Sequence, residues 1–334
     1  MHQRMGCVKW KAPSPRKHCV SISSFDLNIP RPRGDGYFPH PIQQFFHVKT
    51  SRSAGRGTTP GPSKYNHLMS DDVLSRVPPP FDARIAYGPG PNQFFHLRLP
   101  ATGKPNERHP LVINIHGGFW RAKYNLEHAG HLCAALTAKD VATANLEYRR
   151  VGNDGGAWPG TFADIRSAFQ FLVQHAPQHN FDAGKIVVIG HSAGGQLALC
   201  LAAHEQKVTR VVSLAGVVDL QRAYQLHLSN NAVVEFLRGS PTEVPDHYRE
   251  ANPMQLSIPG ARQWLIHGSA DDVVPPAFSR DYVATKQKRT GHEKEDVHLL
   301  PIEGADHFDL IDPLSAAWKS VEKTVLDLIR QPSR

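Results

Sequence analysis

Short apolar runs and segments with helical spacing alternate along the chain from about residue 80 onwards. Seven runs rich in apolar or β-branched residues are predicted as strands, at residues 95–99, 111–115, 141–146, 186–189, 211–214, 264–266 and 297–300. Helices are predicted between and after them, at residues 127–137, 161–175, 194–204, 278–288 and 314–329. Several strands are almost continuously apolar, as strands buried on both faces of a parallel sheet are. The pattern therefore predicts an α/β fold with a mostly parallel, doubly wound sheet in one domain.

The first 70 residues differ in composition from the rest of the 334-residue chain. They hold 11 Lys and Arg residues against 2 acidic ones, and 22 of them are Pro, Gly or Ser. Such a segment buries too little apolar surface to offset the entropy of ordering it. We predict a disordered basic tail at residues 1–70 and a folded domain at residues 71–334. Because Met69 begins an ordinary N-terminal sequence where the composition changes, residues 1–68 are hypothesised to be a gene-model extension.

The composition of the folded part excludes several classes of protein. Residues 71–334 hold 27 basic and 28 acidic residues, which argues against a general nucleic-acid-binding domain. No run approaches the roughly 18 apolar residues that a membrane span needs. Four cysteines without a Cys-x-x-Cys pair favour a reducing cytoplasm. No spacing typical of a metal site occurs, so neither a metal nor another cofactor is predicted.

A Gly-x-Ser-x-Gly pattern follows the predicted strand at residues 186–189 and precedes a predicted helix. This arrangement is typical of a nucleophile elbow, in which a strained turn raises the serine hydroxyl above the sheet. Gly190 and Gly194 flank Ser192, and a Cβ atom at either glycine would collide with the neighbouring strand or helix. Ser192 is therefore the candidate nucleophile. The alternative is a serine that only caps the helix.

Two glycines directly follow the strand predicted at residues 111–115, in the sequence HGGFW. Backbone N–H groups that no side chain encumbers can approach a ligand closely. Gly117 and Gly118, together with Ala193 after the nucleophile, are the candidate donors of an oxyanion hole. The alternative is a tight turn without a catalytic role.

A serine hydroxyl needs a base to become a good nucleophile. His307 and Asp271 each follow a later predicted strand, and the chain order Ser192, Asp271, His307 suits a catalytic triad on this kind of sheet. His307 would move the proton, and Asp271 would orient the imidazole. Asp272 and Asp306 compete for the place of the acid, although Asp306 is adjacent to His307 in sequence, which makes an in-plane hydrogen bond awkward.

The substrate pocket is less clearly indicated. Phe119, Trp120 and His191 are candidate pocket residues, while His267 and also His191 are interpreted as supporting residues of the site. The alternation is interrupted at about residues 221–256, where we predict a small helical lid.

The predicted lid contains aromatic and apolar residues, among them Tyr224, Phe236 and Leu237. They would either line an apolar or aromatic pocket over the site or simply pack on the sheet. Both interpretations remain open from the sequence.

Four motifs together resemble those of the α/β-hydrolase fold: HGGFW at residues 116–120, GHSAGG at 190–195, HGSADDVVP at 267–275 and DHFD at 306–309. Within that fold the chain is similar to hormone-sensitive-lipase-like esterases and especially to kynurenine formamidases (arylformamidases). The similarity to the formamidases rests on the first motif, in which an aromatic residue and Trp follow the two glycines. The resemblance covers about residues 80–330. It implies the triad and oxyanion-hole residues named above, with Phe119 in place of the family's third oxyanion glycine.

The sequence thus predicts a serine hydrolase that forms an acyl-enzyme with a small carboxylic ester or an N-formyl aryl amide. It would be a cytoplasmic, cofactor-free enzyme acting on a small-molecule substrate, without a nucleic-acid partner or a membrane span. A prolyl-oligopeptidase-type peptidase is the enzymatic alternative, because such enzymes share the Gly-x-Ser-x-Gly-Gly pattern and the triad order. A non-catalytic small-molecule receptor on the same scaffold is the other alternative. A homodimer is left open.

Overall fold

A computed structural model describes residues 72–101 and 108–331 of the chain. The predicted tail at residues 1–70 and the hypothesised start at Met69 lie outside the described residues. The strands of the described part are β1 (Ala83–Ala86), β2 (Phe94–Arg98), β3 (His109–Ile115), β4 (Ala142–Leu146), β5 (Phe181–His191), β6 (Arg210–Leu214), β7 (Arg262–Gly268) and β8 (Asp296–Ile302). Its α-helices are α1 (Asp72–Ser75), α2 (Gly130–Thr137), α3 (Gly160–Gln174), α4 (Ala193–His204), α5 (Leu220–Gln225), α6 (Leu228–Leu237), α7 (Pro245–Ala251), α8 (Ala277–Lys286) and α9 (Trp318–Arg330).

The strands of the described residues form one sheet in the order β1-β2-β4-β3-β5-β6-β7-β8. The strand β2 runs antiparallel to both β1 and β4, whereas β4, β3 and β5 to β8 are parallel to their neighbours. The mostly parallel, doubly wound α/β sheet predicted from the sequence is confirmed. The seven predicted strands correspond to β2 to β8. The short edge strand β1 was not predicted, because it has only four residues, which alternate between half-buried and exposed.

The sheet is buried between two layers of helices because alternate strand residues point to opposite faces. On β5, Ile186 and Val188 belong to one apolar cluster, with residues of α3, α4 and the three helices α5 to α7. Val187 and Ile189 belong to the other, with residues of α2 and α9. This two-sided burial explains why the central strands are nearly continuous in apolar residues.

Two predicted helices begin later than their spacing suggests. The last helix was predicted from residue 314 but starts at Trp318. Leu314 follows a proline and is 80% exposed, and the Ser315 hydroxyl accepts the N–H of Trp318 at 3.2 Å. The helix predicted from residue 127 opens with a single 3₁₀ turn, Glu127–Ala129, before α2.

The helices α5, α6 and α7 lie between β6 and β7, in the stretch where the sequence predicts a helical insertion. The action of this insertion as a lid stays a prediction. Within the described ranges, the helices are all too short or too polar to cross a membrane.

Candidate active site

Ser192 lies in a sharp turn between β5 and α4, where its backbone adopts φ +56° and ψ −119°. A non-glycine residue in this left-handed region is strained, so surrounding contacts must hold it. The N–H of Ser192 donates to the carbonyl of Leu214 at 2.8 Å, and its carbonyl accepts the N–H of Val217 at 3.2 Å. These bonds fix the turn to the end of β6.

The two glycines of the turn have the steric function that the sequence suggests. A Cβ atom at Gly190 would overlap the carbonyl oxygen of Gly194, and one at Gly194 would overlap the carbonyl oxygen of Ile115 on β3. The backbone of the turn therefore packs directly against its own helix and the neighbouring strand. Larger residues at either position would force the nucleophile turn open.

His307 and Asp271 form a buried hydrogen-bonded pair beyond the ends of β8 and β7. The Nδ1–H of His307 donates to Asp271 Oδ2 at 2.7 Å. The other carboxylate oxygen of Asp271 accepts the backbone N–H groups of Val273 at 2.9 Å and Val274 at 2.8 Å. Since Nδ1 of His307 is engaged, Nε2 is the nitrogen that can face a nucleophile.

The two competing acids have other surroundings in the described structure. Asp272 is exposed, and the carboxylate of Asp306 accepts the N–H groups of Phe308 and Asp309 in its own turn. The geometry thus favours Asp271 among the three candidates. Its part in catalysis stays a prediction.

A second histidine contacts the same oxygen of Asp271. The ring of His267 lies with Nε2 2.9 Å from the carbonyl of Val274 and 3.1 Å from Asp271 Oδ2. Because a carbonyl only accepts, Nε2 carries a hydrogen, and Nδ1 is hydrogen-bonded with the hydroxyl of Ser279 at 2.7 Å. Burial acts to raise the pKa of Asp271, but hydrogen bonds from His267 and His307 outweigh it and hold the pKa below its usual range. The carboxylate is therefore ionised at neutral pH.

His191 connects the serine turn to His307. Its Nε2–H donates to the carbonyl of His307 at 2.9 Å, and the two rings lie 4.5 Å apart between centroids. Burial, followed by the nearby His307, lowers the pKa of His191 well below its ordinary value, so its ring is neutral. Because His191 precedes Ser192 directly, these contacts bring the serine turn and His307 together at the same edge of the sheet. A pocket role for His191 stays a prediction.

The loop after β3 lies against the serine turn. A Cβ atom added to Gly117 would lie 3.0 Å from the Cβ of Ser192 and 3.0 Å from the carbonyl oxygen of His191. Gly118 has φ +112°, and a Cβ there would lie 2.5 Å from the Cβ of Tyr124. Gly118 therefore requires glycine, and Gly117 packs tightly against the serine turn. The donation of the loop's N–H groups to an oxyanion stays a prediction.

His116 fixes the orientation of the next peptide group. Its Nδ1–H donates to the carbonyl of Gly117 at 2.7 Å. In a trans peptide the C=O and the following N–H point in opposite directions, so this bond directs the N–H of Gly118 away from His116. The hydroxyl of Tyr148 donates to the carbonyl of His116 at 2.8 Å and gives the same loop a second hydrogen bond.

Glu147, the first residue after β4, supports the loop, and the sequence did not link it to His116. Its Oε1 lies 3.2 Å from Nε2 of His116 and 3.1 Å from Nη2 of the buried Arg150. It also accepts the backbone N–H groups of Tyr148 at 2.9 Å and Leu126 at 3.2 Å. Burial acts to raise the pKa of Glu147, but His116 and Arg150 lower it below its ordinary value. An acid directly after a buried strand is the sequence signal that could have found it.

Trp120 lies in the core, with 1% of its surface exposed. Its ring stacks on Phe236 of α6 at 4.5 Å between centroids, and its Nε1–H donates to Gln196 Oε1 at 2.9 Å. Phe236 and Leu237 are fully buried, so the interpretation that they pack on the body of the protein is the one that the structure favours. Contact of Trp120 with a substrate stays a prediction.

Phe119 and Arg121 flank Trp120 in the same loop. Phe119 is half-buried and has φ +49°, so the loop continues in the left-handed region after Gly118. The guanidinium of Arg121 donates from Nε and Nη2 to the two carboxylate oxygens of Glu235 at 2.8 Å each. It also donates to the hydroxyl and the carbonyl of Ser229 at 3.0 and 2.9 Å. The loop is thus joined to α6 at two points.

Comparisons with known proteins place these features in context. The model of the BD-FAE family matches residues 96–285, from within β2 to the last turn of α8. A probable isoprenylcysteine alpha-carbonyl methylesterase of Arabidopsis thaliana is 24% identical over 270 residues, 73% of this chain and 62% of that protein. Kynurenine formamidase of Salmo salar is 23% identical over 279 residues, 76% of this chain and 88% of that protein.

Among solved structures, esterase B of Lactobacillus rhamnosis, inhibited by a tributyrin phosphonate, superposes with a TM-score of 0.64. It is 20% identical, and the match covers 78% of this chain and 91% of that chain. At this identity the likeness concerns the fold. The chain spans about three fifths of the length of the plant methylesterases that it matches.

Proposed function

The chain belongs to the BD-FAE family and has the α/β-hydrolase fold, and on this basis we propose that it is a serine esterase. The substrate class is a small carboxylic ester. The observation that carries the proposal is the strained Ser192 at the β5–α4 turn, joined through His191 to a His307 that is hydrogen-bonded to Asp271. Strain of this kind at a serine between a parallel strand and a helix is typical of a nucleophile elbow.

In the proposed reaction, the Ser192 hydroxyl attacks the ester carbonyl while Nε2 of His307 takes its proton. Asp271, ionised and hydrogen-bonded at Nδ1, keeps His307 in the tautomer that this transfer needs. The negative charge of the tetrahedral intermediate forms beside the N–H groups of Gly118 and Ala193, with Gly117 adjacent. His307 then returns the proton to the leaving alcohol, and water hydrolyses the acyl-enzyme by the same route.

Hydrolysis of an N-formyl aryl amide is the second candidate function. The HGGFW sequence and the match to the salmon kynurenine formamidase over 88% of that protein support it. The same residues would act on a formamide carbonyl, with an aryl amine as the leaving group. Parallel rates on p-nitrophenyl acetate, p-nitrophenyl butyrate and N-formylkynurenine separate the two candidates. A kcat/KM for the formamide about 100-fold above the esters, roughly 2.7 kcal/mol, would assign the formamidase.

The nucleophile is tested by covalent labelling with a fluorophosphonate and mass spectrometry of the intact protein. We expect one label on the wild-type protein, located on the peptide that contains Ser192, and no label on Ser192→Ala. Ser269→Ala is the matched control, because Ser269 is exposed and its hydroxyl accepts the N–H of Gly304; it should label like the wild type. Labelling that persists in a folded Ser192→Ala protein would contradict the proposal.

The alternative functions give different results in the same assays. Cleavage of a prolyl peptide anilide without ester or formamide turnover would favour the peptidase. Binding of esters without labelling or turnover would favour the receptor. A cytoplasmic location stays a prediction, and the buried, free thiols of Cys133 and Cys200 agree with a reducing compartment.

A further inference from the structure

The loop after β3 makes a tight turn whose backbone is unfavourable for the residues in it. The N–H of Arg121 donates to the carbonyl of Gly118 at 3.1 Å, so Phe119 and Trp120 are the central residues of this turn. Both have a positive φ, +49° and +59°. Turns of this kind are dominated by Gly, Asn and Asp, and bulky side chains are strained in them. Contacts outside the turn must therefore hold Phe119 and Trp120 in place.

Gln196 makes such a contact with the side chain of Trp120. It is fully buried on α4, one helical turn after Ser192. Its Oε1 accepts the Nε1–H of Trp120 at 2.9 Å, and its backbone N–H donates to the carbonyl of Ser192 at 3.4 Å. The turn that begins at Gly118 is therefore joined to the start of α4, where Ala193 also lies.

The other end of the Gln196 amide binds the helical insertion. Its Nε2 donates to the carbonyl of Ala251, the last residue of α7, at 2.8 Å and to Sγ of Cys200 at 3.1 Å. The thiol of Cys200 donates to the same carbonyl at 3.0 Å, and burial raises the pKa of this thiol, so it keeps its hydrogen. Each end of the amide thus has a hydrogen-bond partner.

The partners of Gln196 require an amide and fix its orientation. An indole N–H only donates, and a backbone carbonyl only accepts. A rotated amide would place its NH₂ group against the indole N–H and its oxygen against the carbonyl of Ala251. An apolar side chain of similar length, as in Gln196→Met, would leave both partners buried without a hydrogen bond, which is unfavourable.

We propose that Gln196 is a positioning residue of the proposed hydrolysis. Gly118 and Ala193 are candidate oxyanion donors on different elements, so their spacing depends on contacts between those elements. Through the indole of Trp120, Gln196 holds the turn of Gly118 at a fixed distance from the helix of Ala193, and it does not bind the substrate itself. The inference rests on the proposed function and extends it to α7, because the carbonyl of Ala251 keeps the amide in the orientation that Trp120 needs.

The first test is steady-state kinetics of Gln196→Met on the best ester or formamide substrate, with circular dichroism to check folding. We expect kcat to fall about 10- to 100-fold, because a displaced oxyanion donor stabilises the transition state less. KM should change less than about threefold, since the substrate contacts remain. A folded Gln196→Met protein that loses stability but keeps the wild-type kcat would overturn the proposal and leave the proposed function intact.

Tyr282→Phe is the matched control for the loss of a buried hydrogen bond. The hydroxyl of Tyr282 donates to Oε1 of Gln263 at 2.7 Å. Gln263 lies near the beginning of β7, whereas Asp271 follows the end of that strand. Tyr282→Phe should therefore lower the stability and leave kcat unchanged. An equal fall of kcat in Tyr282→Phe and Gln196→Met would overturn the proposal, because any buried hydrogen bond would then have the same effect.

A double-mutant cycle separates the hydrogen bond from the packing of Trp120. Trp120→Phe removes the indole N–H and keeps an aromatic ring against Phe236. If the two side chains act through their hydrogen bond, the fall of kcat in the double variant should be smaller than the product of the two single effects. Independent, multiplicative effects would overturn the proposal.

A measurement on the wild-type protein covers the case in which Gln196→Met fails to fold. In protein labelled with ¹³C and ¹⁵N, the indole N–H resonance of Trp120 should exchange slowly with solvent and should shift when a fluorophosphonate modifies Ser192. The indole of Trp318, on α9 at the other face of the sheet, is the internal control and should not shift. An unchanged Trp120 resonance in the modified protein would overturn the proposal. Wild-type protein that neither reacts with the fluorophosphonate nor turns over a substrate would overturn the proposed function and this inference with it.

Discussion

Two buried carboxylates at the same edge of the sheet each contact a histidine. They differ in whether the second ring nitrogen of that histidine is available to another group. Asp271 binds Nδ1 of His307 and leaves Nε2 as the nitrogen available to a nucleophile. Glu147 faces Nε2 of His116, whose Nδ1 already donates to the carbonyl of Gly117. Both nitrogens of His116 thus face acceptors. In the proposed mechanism the first pair moves a proton, whereas the second pair holds a peptide group in place.

The remaining partners of the two carboxylates agree with this division. Asp271 accepts two backbone N–H groups and contacts two histidines, and among the described residues no arginine or lysine forms an ion pair with it. Glu147 has a permanent cation beside it, since Nη2 of the buried Arg150 lies 3.1 Å away. Arginine stays charged across the whole accessible pH range. A carboxylate paired with arginine stays ionised whatever the histidine does, which suits a support rather than a proton relay.

The largest expected effect follows from neutralising the first carboxylate. Asp271→Asn should lower kcat by about 10³- to 10⁴-fold with a smaller change in KM, because His307 loses the acceptor that fixes its tautomer. The measurement is steady-state kinetics on the best ester or formamide substrate, with circular dichroism to check folding. Asp272→Asn is the matched control, since Asp272 is exposed, and its kcat should stay within about twofold. Equal losses in both variants would contradict the assignment of Asp271.

Neutralising the second carboxylate should act on stability first. Glu147→Gln leaves the buried Arg150 without its counter-ion, and breaking a buried pair in this way costs about 3–5 kcal/mol. The free energy of unfolding in urea measures this loss, and Glu303→Gln, at an exposed position, is the control. We expect kcat to fall as well, because His116 would no longer hold the Gly117 peptide. A Glu147→Gln protein with wild-type stability would remove the distinction between the two pairs.

The two carboxylates also differ in how far the sequence could predict them. Asp271 and His307 follow buried strands within motifs of fixed spacing, and the structure joins them by a hydrogen bond. Asp271 and His307 lie 36 positions apart, so motifs and not closeness in sequence made them predictable: an elbow needs glycines, and a triad needs its members after particular strands. Glu147 contacts His116 across 31 positions of sequence. No local spacing rule links an acid after one strand to a histidine after another.

In the predicted lid at residues 221–256, tertiary contacts override local sequence rules even more. The interrupted alternation predicts a small helical lid there, yet Ser229, Asn230 and Asn231 adopt consecutive left-handed conformations inside α6. Such a run is unfavourable for non-glycine residues and is held by tertiary contacts, among them the bonds of Arg121 to Ser229. Local propensity favours the opposite conformation there, so the sequence could not predict this segment.

A smaller effect is expected from replacing His267, the second histidine that contacts Asp271. The folded pKa of Asp271 lies below the unfolded value of about 3.9, so its contribution to stability is present above that pH and is lost as the pH falls through the folded pKa. His267→Leu removes one donor from this carboxylate and should raise its pKa. The variant should therefore lose about 1–2 kcal/mol at neutral pH, and part of this difference should disappear on acidification. His267→Gln, which keeps an N–H donor, should recover part of it.

The measurement for His267 is the free energy of unfolding from neutral pH down through the folded pKa of Asp271, which lies well below the unfolded value of about 3.9. A loss that is the same at every pH would show that His267 acts only through its bonds to Val274 and Ser279. In that case the low pKa of the Asp271 carboxylate would result from His307 and the backbone N–H groups alone.

The smallest expected effect concerns the link between the loop of His116 and the helix α6. Arg121 and Glu235 form a bidentate ion pair, but their side chains are 26% and 45% exposed. Solvent therefore screens most of the interaction energy of the pair. Arg121→Lys should lose the paired geometry and the bonds to Ser229. We expect stability to change by less than about 1 kcal/mol and KM to rise by about two- to fivefold with kcat little altered.

A double-mutant cycle with Glu235→Gln separates this pair from a general surface effect, with the exposed Arg249–Asp246 pair as the control. A coupling in KM that appears for Arg121 and Glu235 and not for the control pair would show that α6 positions the substrate through the loop. Coupling in kcat instead would place Arg121 with His116 and Glu147, among the residues that hold the oxyanion-binding peptide. No coupling in either parameter would mean that the burial of Trp120 against Phe236 is sufficient to hold the loop to α6.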